Sequence, residues 1–171
     1  MNREKINDLV KKINSGKIKV AVFDLDRTIW DHEDVTSMKP PFKKIENGKI
    51  VDTTGDMINL YPCMEDFLKC LREKGLKIAT ASWNVYDKAY QALEALDLTK
   101  YFDYFVIEFH PRKEEMIEKI MKKFNVSEEE IIFFDDNPKI VERVLKVHKK
   151  LNIVHIGTDI VNICDFYKLL C

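Results

Sequence analysis

The chain has 171 residues, of which 46% are hydrophobic and 33% are charged, and its formal net charge at pH 7 is -1. This length suits one domain, and the apolar fraction is sufficient for a buried core. The balanced charge excludes a protein that binds nucleic acid by broad phosphate neutralisation, because no excess of Lys and Arg is available. No apolar run reaches the roughly 20 residues of a membrane-spanning helix. We therefore expect a cytoplasmic protein, monomeric, with neither nucleic acid nor membrane as a partner.

The N-terminal third of the chain contains a helix, a strand and an irregular insertion. Apolar residues at helical spacing predict an amphipathic helix over residues 3–14, within a leading segment 1–16. A first strand is expected over about residues 17–24. Between residues 30 and 62 the pattern weakens, because Pro40-Pro41 breaks regular structure and Asn47-Gly48 is a strong hairpin signal. We interpret residues 30–62 as a flap, a small β-hairpin inserted after the first strand.

Strands and helices alternate along the rest of the chain. Ser127 and Glu130 resemble a capping box, but the apolar run that follows leaves room for only one short turn. The alternation predicts a mainly parallel sheet covered by helices on both faces, that is, a three-layer α/β/α Rossmann-like fold in one domain, 1–171. The predicted helices cover residues 64–74, 85–96, 113–124, 138–149 and 160–170, and the predicted strands cover 76–82, 104–109, 131–134 and 151–156.

The four cysteines are Cys63, Cys70, Cys164 and Cys171. They form no C-x-x-C pair, have no histidines at metal-finger spacing, and do not fit the C-x5-R pattern of cysteine phosphatases. Both pairs have a spacing of seven residues, which places each pair on one face of a helix. We therefore expect reduced cysteines that pack in the interior.

Polar side chains follow the predicted strands at the points where the strands end. Asp24 and Ser82 are the last residues of the first and second strands, and Asp26 comes two residues after Asp24. Asp135-Asp136 follow the fourth strand, and Lys113 comes shortly after the third. Ligands of open parallel sheets bind beyond the carboxyl ends of the strands, so we expect these residues to meet in one site. Neighbouring carboxylates are costly unless a cation neutralises them or one keeps a proton. The cation is our leading hypothesis.

These residue types suit phosphoryl transfer, which needs positioning, charge neutralisation and an in-line nucleophile. Carboxylate oxygens select a hard cation, and Mg²⁺ fits better than zinc. One carboxylate of the first pair can attack phosphorus, while the other protonates the leaving oxygen and later activates water. Ser82 is a candidate for hydrogen bonds to the phosphoryl oxygens, and Lys113 for compensation of the transition-state charge.

The segment Val22-Phe23-Asp24-Leu25-Asp26-Arg27-Thr28-Ile29-Trp30 resembles the first motif of the haloacid dehalogenase (HAD) superfamily of phosphohydrolases. Ser82, Lys113 and Asp135-Asp136 match its second, third and fourth motifs in order. Leu60-Tyr61-Pro62 and the residues around Asp135 make the chain similar to the magnesium-dependent phosphatase branch in particular. The resemblance covers residues 20–156.

The resemblance implies Asp24 as the nucleophile and Asp26 as the general acid/base. It implies a magnesium site formed by Asp24, the backbone carbonyl of Asp26, and Asp136 with Asp135 directly or through water. The implied phosphate-binding residues are Leu25, Ser82, Trp83 and Lys113. It also implies a capless fold with the core strands in the order 5-4-1-2-3. The implied substrates are phosphotyrosine-type or sugar phosphates, as a small molecule or a phosphoprotein.

Two positions depart from the pattern of this family. Arg27 stands where a Tyr is expected in the animal relatives, and Trp83-Asn84 follows Ser82 in place of a basic residue. Both lie at the edge of the predicted site, so they bear on substrate preference and leave the core chemistry intact.

Other functions are disfavoured without all being excluded. A dehalogenase has no need of Asp26, since a leaving halide takes no proton, and a phosphomutase would need a larger cap. A receiver-like phosphorylated switch places its acceptor Asp after the third strand, where this chain has none near Phe109. A catalytically idle relative that binds phosphorylated partners stays open.

Structural roles compete with the functional ones at several positions. The acids and Ser82 could cap helices, Lys113 could be a solvated helix charge, and His110 is expected to be structural or on the substrate rim. We expect Thr28 to brace its loop through hydrogen bonds to the backbone.

Overall fold

The computed structural model describes all residues, Met1–Cys171, and contains two sheets. The strands are β1 (Val20–Phe23), β2 (Lys43–Glu46), β3 (Lys49–Val51), β4 (Met57–Asn59), β5 (Lys77–Trp83), β6 (Tyr104–Glu108), β7 (Ile131–Asp135) and β8 (Asn152–His155). The α-helices are α1 (Arg3–Asn14), α2 (Met64–Glu73), α3 (Tyr86–Ala95), α4 (Lys113–Phe124), α5 (Pro138–Val147) and α6 (Ile163–Leu170). None of these helices combines the length and the apolar character that crossing a membrane requires.

The main sheet is parallel and has five strands in the order β6-β5-β1-β7-β8. If the five core strands β1, β5, β6, β7 and β8 are numbered 1 to 5 along the chain, this order is 3-2-1-4-5. Read from the other edge of the sheet, it is the predicted order 5-4-1-2-3. The predicted α/β fold class is confirmed. β1 lies in the centre, and its Phe23 is in register with Thr80 of β5 and Phe134 of β7. All four residues of β1 are buried, as expected for a strand that helices cover on both faces.

The two faces of the sheet bury separate apolar clusters, because successive side chains of a strand point to opposite faces. Phe23 and Phe134 stack with their ring centroids 4.8 Å apart, and Phe67 of α2 and Phe166 of α6 pack against them edge-on. This cluster also takes in buried residues of α1 and α3. The opposite cluster contains Phe133 and the buried faces of α4 and α5.

The flap contains one strand more than the predicted hairpin. β2 and β3 are antiparallel and joined through Asn47-Gly48, and β4 then pairs with β3 to complete a three-stranded sheet. Gly48 has a φ of +76°, which explains why the turn needs a glycine there. The carboxylate of Asp52 accepts hydrogen bonds from the backbone N–H groups of Lys39, Thr54 and Asp56, and these bonds hold the β3–β4 loop.

Most predicted elements are present, and their ends differ from the predicted ones by at most three residues. Helix α4 has the predicted bounds, and the single turn with a Ser127–Glu130 capping box is also found. The last helix begins at Ile163 rather than at residue 160, because the Asn162 side chain caps it by accepting from the N–H of Cys164.

The prediction of reduced cysteines is wrong. Cys63 is bonded to Cys164 and Cys70 to Cys171, each across a sequence separation of 101 residues. Cys63 is the N-cap of α2 and Cys171 follows α6, so these two are not on the helical faces that the spacing predicted. The equal spacing of seven residues instead reflects the packing of α2 beside α6. Cys63 and Cys164 meet near the start of the two helices, and Cys70 and Cys171 meet near their end.

Candidate active site

The predicted site lies at the carboxyl edge of the parallel sheet, where β1 and β7 are neighbours. Asp24 follows β1, and its backbone N–H donates to the carbonyl of Phe134 in β7, so the strand pairing extends to the acidic residues. A cavity of about 560 Å³ opens at this edge. Six predicted site residues line it: Asp24, Asp26, Trp83, Lys113, Asp135 and Asp136. The other lining residues are Arg27, Glu33, Asp34, Thr36, Phe109, Asn137 and Ile140.

Three carboxylates form a cluster at the inner end of this cavity. Asp24, Asp135 and Asp136 each offer an oxygen, and these oxygens lie within 4.8 Å of one another. Asp24 and Asp135 are buried and Asp136 is half-buried. A compact group of carboxylate oxygens is the donor set that a hard divalent cation takes, so these residues fit the predicted Mg²⁺.

Lys113 is the first residue of α4, and its ammonium group joins two of the three carboxylates. The Nζ atom donates to Oδ1 of Asp24 at 2.6 Å and to Oδ2 of Asp135 at 2.7 Å. Its side chain is only 4% exposed, so a solvated helix charge is excluded. Burial alone would lower the pKa of Lys113, but the charges of Asp135 and Asp24 outweigh burial and raise it, so this residue is a permanent cation.

The acids of the cluster have raised pKa values. Burial raises the pKa of Asp24 to about 6, against the attraction of Lys113 and with help from the charge of Asp136. Burial and the charge of Asp24 raise the pKa of Asp135 to about 6 as well. The pKa of Asp136 is raised, again chiefly by burial. One ammonium group therefore does not compensate three carboxylates, and a further cation would complete the neutralisation.

Asp26 lines the cavity without joining the carboxylate cluster. Its Oδ1 accepts from the Trp30 indole at 2.9 Å and from the N–H of Val35 at 3.1 Å, and its Oδ2 accepts from the Asn84 amide at 2.9 Å. Burial raises the pKa of Asp26, and these three hydrogen bonds oppose that rise. Its carboxylate is thus held apart from the cluster of Asp24, Asp135 and Asp136 that fits a metal ion. This separation suits a carboxyl group that exchanges a proton instead of binding the ion. Its predicted role as a metal ligand concerns only the backbone carbonyl.

Two predicted phosphate-binding residues do not line the cavity. Ser82 is fully enclosed, and its hydroxyl accepts a hydrogen bond of 2.8 Å from the Asn84 amide. The side chain of Leu25 is also buried, but its backbone N–H donates to no protein acceptor. Ser82 is not a helix cap, since α3 has Val85 at that position.

The alternative roles of the remaining residues are also decided by their contacts. Asn137 caps α5 by accepting from the N–H groups of Lys139 and Ile140, so capping does not explain the Asp135-Asp136 pair. Thr28 donates from its hydroxyl to Oδ2 of Asp24 at 2.9 Å, a contact to a side chain rather than to the backbone. His110 does not line the cavity, and its Nε2 lies 2.9 Å from the carboxylate of Glu108.

Two residues that hold the site together, Asn84 and Thr36, were not predicted from the sequence. Asn84 contacts both Asp26 and Ser82, and Thr36 contacts Asn84. Strand alternation contained a signal for Asn84, because a residue two positions after Ser82 projects to the same side of an extended chain. Thr36 lies in a single turn of the flap, and no periodicity could bring it to this place.

Comparison with known proteins identifies the family. Residues 17–158 match the model of a family described as Acid Phosphatase. The chain belongs to the acid phosphatase family. Magnesium-dependent phosphatase 1 of Homo sapiens is 36% identical over 130 residues, which are 75% of this chain and 73% of that protein. A HAD-like hydrolase superfamily protein of Schizosaccharomyces pombe is 28% identical over 134 residues, covering 71% of this chain and 77% of that protein. The predicted HAD resemblance is confirmed.

Solved structures share the fold of this acid phosphatase family member. The N-terminal part of a Bacteroides fragilis protein that contains a phosphatase domain, complexed with Mg, has a TM-score of 0.66 and 20% identity. That alignment covers 94% of this chain and 42% of the other. The 3-deoxy-D-manno-octulosonate 8-phosphate phosphatase of Moraxella catarrhalis has a TM-score of 0.56 and 14% identity, with 91% of this chain and 78% of the other covered.

Proposed function

We propose that this acid phosphatase family member hydrolyses phosphomonoesters with Mg²⁺ through a covalent aspartyl-phosphate on Asp24. One observation carries the proposal: the buried Asp24 carboxylate is paired with Lys113 at 2.6 Å and clustered with Asp135 and Asp136 at the inner end of an open cavity. A carboxylate that only stabilised the fold would not need two further acids beside it. Membership of a phosphatase family supports the same reaction.

The residues that would hold the metal are Asp24, Asp135, Asp136 and the backbone carbonyl of Asp26. Both oxygens of Asp135 already accept hydrogen bonds, from Lys113 and from the N–H of Asn137. Asp136 would contribute a half-buried carboxylate to the ion, with Asp135 contributing directly or through water. When bound, Mg²⁺ neutralises charge on the phosphoryl group. The human relative is named a magnesium-dependent phosphatase, which supports this assignment.

The reaction divides into two displacements at phosphorus. In the first, a carboxylate oxygen of Asp24 forms a bond to phosphorus, the bond to the ester oxygen breaks, and Asp26 gives its proton to the leaving alcohol. In the second, water attacks phosphorus and transfers a proton to Asp26, and the bond between phosphorus and Asp24 breaks. Lys113 compensates the negative charge of both transition states, since its pKa is raised and its ammonium group contacts Asp24.

Four residues are proposed to bind the substrate, with Leu25, Ser82 and Lys113 at the phosphoryl group and Trp83 at the leaving group. Lys113 and Trp83 line the cavity, whereas Ser82 and Leu25 are buried and are not among its lining residues. Leu25 would contribute its free backbone N–H, which makes no hydrogen bond within the protein. Ser82 accepts from Asn84, so its own hydroxyl proton is available for a phosphoryl oxygen.

The rim of the cavity bears on the substrate. Trp83 is 48% exposed and Phe109 is 68% exposed, and both line the cavity. Exposed aromatic faces suit a phosphotyrosine-type group or the apolar face of a sugar, in a small molecule or a phosphoprotein. Glu33 and Asp34 on the same rim disfavour a polyanionic nucleic acid.

The monomeric state and the cytoplasmic location stay predictions. The disulfides bear on the location, because they persist mainly in oxidising compartments and in hyperthermophiles.

The test is the Mg²⁺-dependent release of p-nitrophenol from p-nitrophenyl phosphate by the native chain and by Asp24→Asn. We expect turnover only with a divalent cation, and a loss of at least about 10³-fold in Asp24→Asn, because the amide is not a nucleophile. Asp66→Asn is a matched control, since Asp66 is exposed on α2 and lies outside this cavity. Equal rates for native chain and Asp24→Asn, or no turnover with any divalent metal, contradict the proposal. The second result would favour a phosphate-binding relative.

A further inference from the structure

Asn84 connects the general acid/base to the parallel sheet. It follows β5, is 1% exposed, and has a hydrogen-bond partner for each polar atom of its side chain. The Nδ2 atom donates to Oδ2 of Asp26 at 2.9 Å and to Oγ of Ser82 at 2.8 Å. Oδ1 accepts from Oγ1 of Thr36 at 2.7 Å. Both amide protons and the amide oxygen are thus used in the interior.

The direction of these bonds follows from the backbone. The N–H of Val85 can only donate, and it lies 2.9 Å from Oγ1 of Thr36. The Thr36 hydroxyl therefore accepts from Val85 and gives its own proton to Asn84 Oδ1. With its oxygen turned toward Thr36, Asn84 can present only its NH₂ group to Asp26 and Ser82.

The carboxylate of Asp26 is fixed by donors from two parts of the fold. Trp30 and Val35 both donate to Oδ1, and both belong to the flap, residues 30–62. Asn84 is the donor to Oδ2, and it comes from the end of β5. Oδ1 has accepted two hydrogen bonds, whereas Oδ2 has accepted one and keeps a lone pair for a transferred proton.

From these contacts we infer that Asn84 is a positioning residue, which aims Oδ2 of Asp26 at the leaving oxygen and is itself oriented by Thr36. The inference rests on the proposed function, in which Asp26 is the general acid. It also gives a role to one residue of Trp83-Asn84, the pair that follows Ser82 where the family pattern has a basic residue. Loss of the Asn84 amide leaves Asp26 chemically intact and releases Oδ2 from its fixed direction.

The dependence of the rate on the leaving group separates positioning of an acid from general structural support. p-Nitrophenolate leaves with little need of a proton, whereas the oxygen of phenyl phosphate needs one. The value of kcat/KM reports on steps up to release of the leaving group. We therefore measure kcat/KM of Asn84→Ala for both substrates, relative to the native chain, with Mg²⁺ present. We expect the loss to be about ten-fold larger for phenyl phosphate than for p-nitrophenyl phosphate, part of the 10²–10⁴-fold that a general acid contributes.

Thr36 supplies a matched pair of variants that leaves Asn84 in place. Thr36→Val removes the hydroxyl that orients the amide at nearly constant volume, and it should shift the ratio of the two kcat/KM values in the same direction as Asn84→Ala. Thr36→Ser keeps a hydroxyl and should keep the native ratio. If Asn84→Ala does not fold, the comparison of Thr36→Val with Thr36→Ser still tests whether the orientation of Asn84 controls this ratio.

Three results are distinguishable. A shifted ratio in Asn84→Ala and Thr36→Val but not in Thr36→Ser supports the inference. Equal losses on both substrates in each variant overturn it and leave the phosphatase proposal standing. A native chain that is inactive on both substrates overturns the proposed function, and the role of Asn84 with it.

Discussion

The ammonium group of Lys113 donates a hydrogen bond of 2.6 Å to Oδ1 of Asp24, and both side chains are nearly enclosed. A lysine at this depth is stable as a cation only because Asp24 and Asp135 face it. The same contact holds the proposed nucleophile in one orientation. Lys113 should therefore affect both the stability of the fold and the proposed reaction.

Lys113→Met should lower kcat/KM by about 10²–10³-fold, because it removes a cation aimed at the transition state. It should also lower the free energy of unfolding at neutral pH by about 3–5 kcal/mol, since Asp24 and Asp135 lose their buried partner. Lys122→Met is the matched control, because Lys122 is exposed on the same helix. Steady-state kinetics and urea unfolding measure the two effects. A native-like unfolding free energy in Lys113→Met would show that the pair contributes nothing to the fold.

The stabilisation by Mg²⁺ should depend on pH. Asp24 and Asp135 have pKa values of about 6 in the folded chain, above the ordinary 3.8. Between these values the folded state holds more protons than the unfolded state, so the metal-free protein loses stability as pH rises toward and through 6. Metal binding requires the deprotonated ligands. We expect Mg²⁺ to raise the melting temperature more at about pH 7.5 than at about pH 5. Equal shifts at both pH values would contradict the assignment of these acids as ligands.

Trp83→Ala should raise KM for aryl phosphates and change kcat little. Trp83 is half-exposed on the cavity rim, where its ring can pack on an aromatic leaving group. Loss of such a contact, worth about 0.5–1.5 kcal/mol, corresponds to a roughly 2- to 12-fold rise in KM. Tyr86→Ala is the control, because Tyr86 is exposed nearby and does not line the cavity. The same rise for glycerol phosphate and for aryl phosphates would argue against aromatic packing.

Reduction of the two disulfides should lower stability and leave the site intact. Each bond closes a loop of about 100 residues, for which chain entropy gives about 4.7 kcal/mol. The second bond should add less, because the first already brings α2 and α6 together. Thermal unfolding with and without reductant, and of Cys63→Ser/Cys164→Ser, measures this. An unchanged melting temperature would show that the helices are held by packing of residues such as Phe67 and Phe166 alone.

Much of the fold could be predicted because its signals are local. Continuous apolar runs marked buried parallel strands such as β7, and apolar residues at helical spacing marked α4. The third strand of the flap was missed because β3 and β4 have three residues each, too few for a periodic pattern. The disulfides were missed because the pairing of α2 with α6 is a contact across 101 residues.

The site residues could be predicted where a residue with suitable chemistry stands at or just after the end of a strand. Asp24, Lys113 and Asp135 are brought together as the order of the strands requires. The contact between Thr36 and Asn84 was not predictable, because it depends on how the flap folds back over β5. The complete burial of Ser82 likewise results from packing, and no sequence motif indicates it.

The central claim is the covalent aspartyl-phosphate on Asp24, and chemical trapping tests it most directly. The chain carrying Asp26→Asn, which should slow hydrolysis of the intermediate, is mixed with p-nitrophenyl phosphate and Mg²⁺ and then reduced with borohydride. This reduction converts a phosphorylated aspartate into homoserine, which peptide mass spectrometry locates. We predict homoserine at position 24 only when both substrate and Mg²⁺ are present. Turnover by the native chain with no homoserine at position 24 in the trapped variant, or with the modification at another residue, would contradict the mechanism.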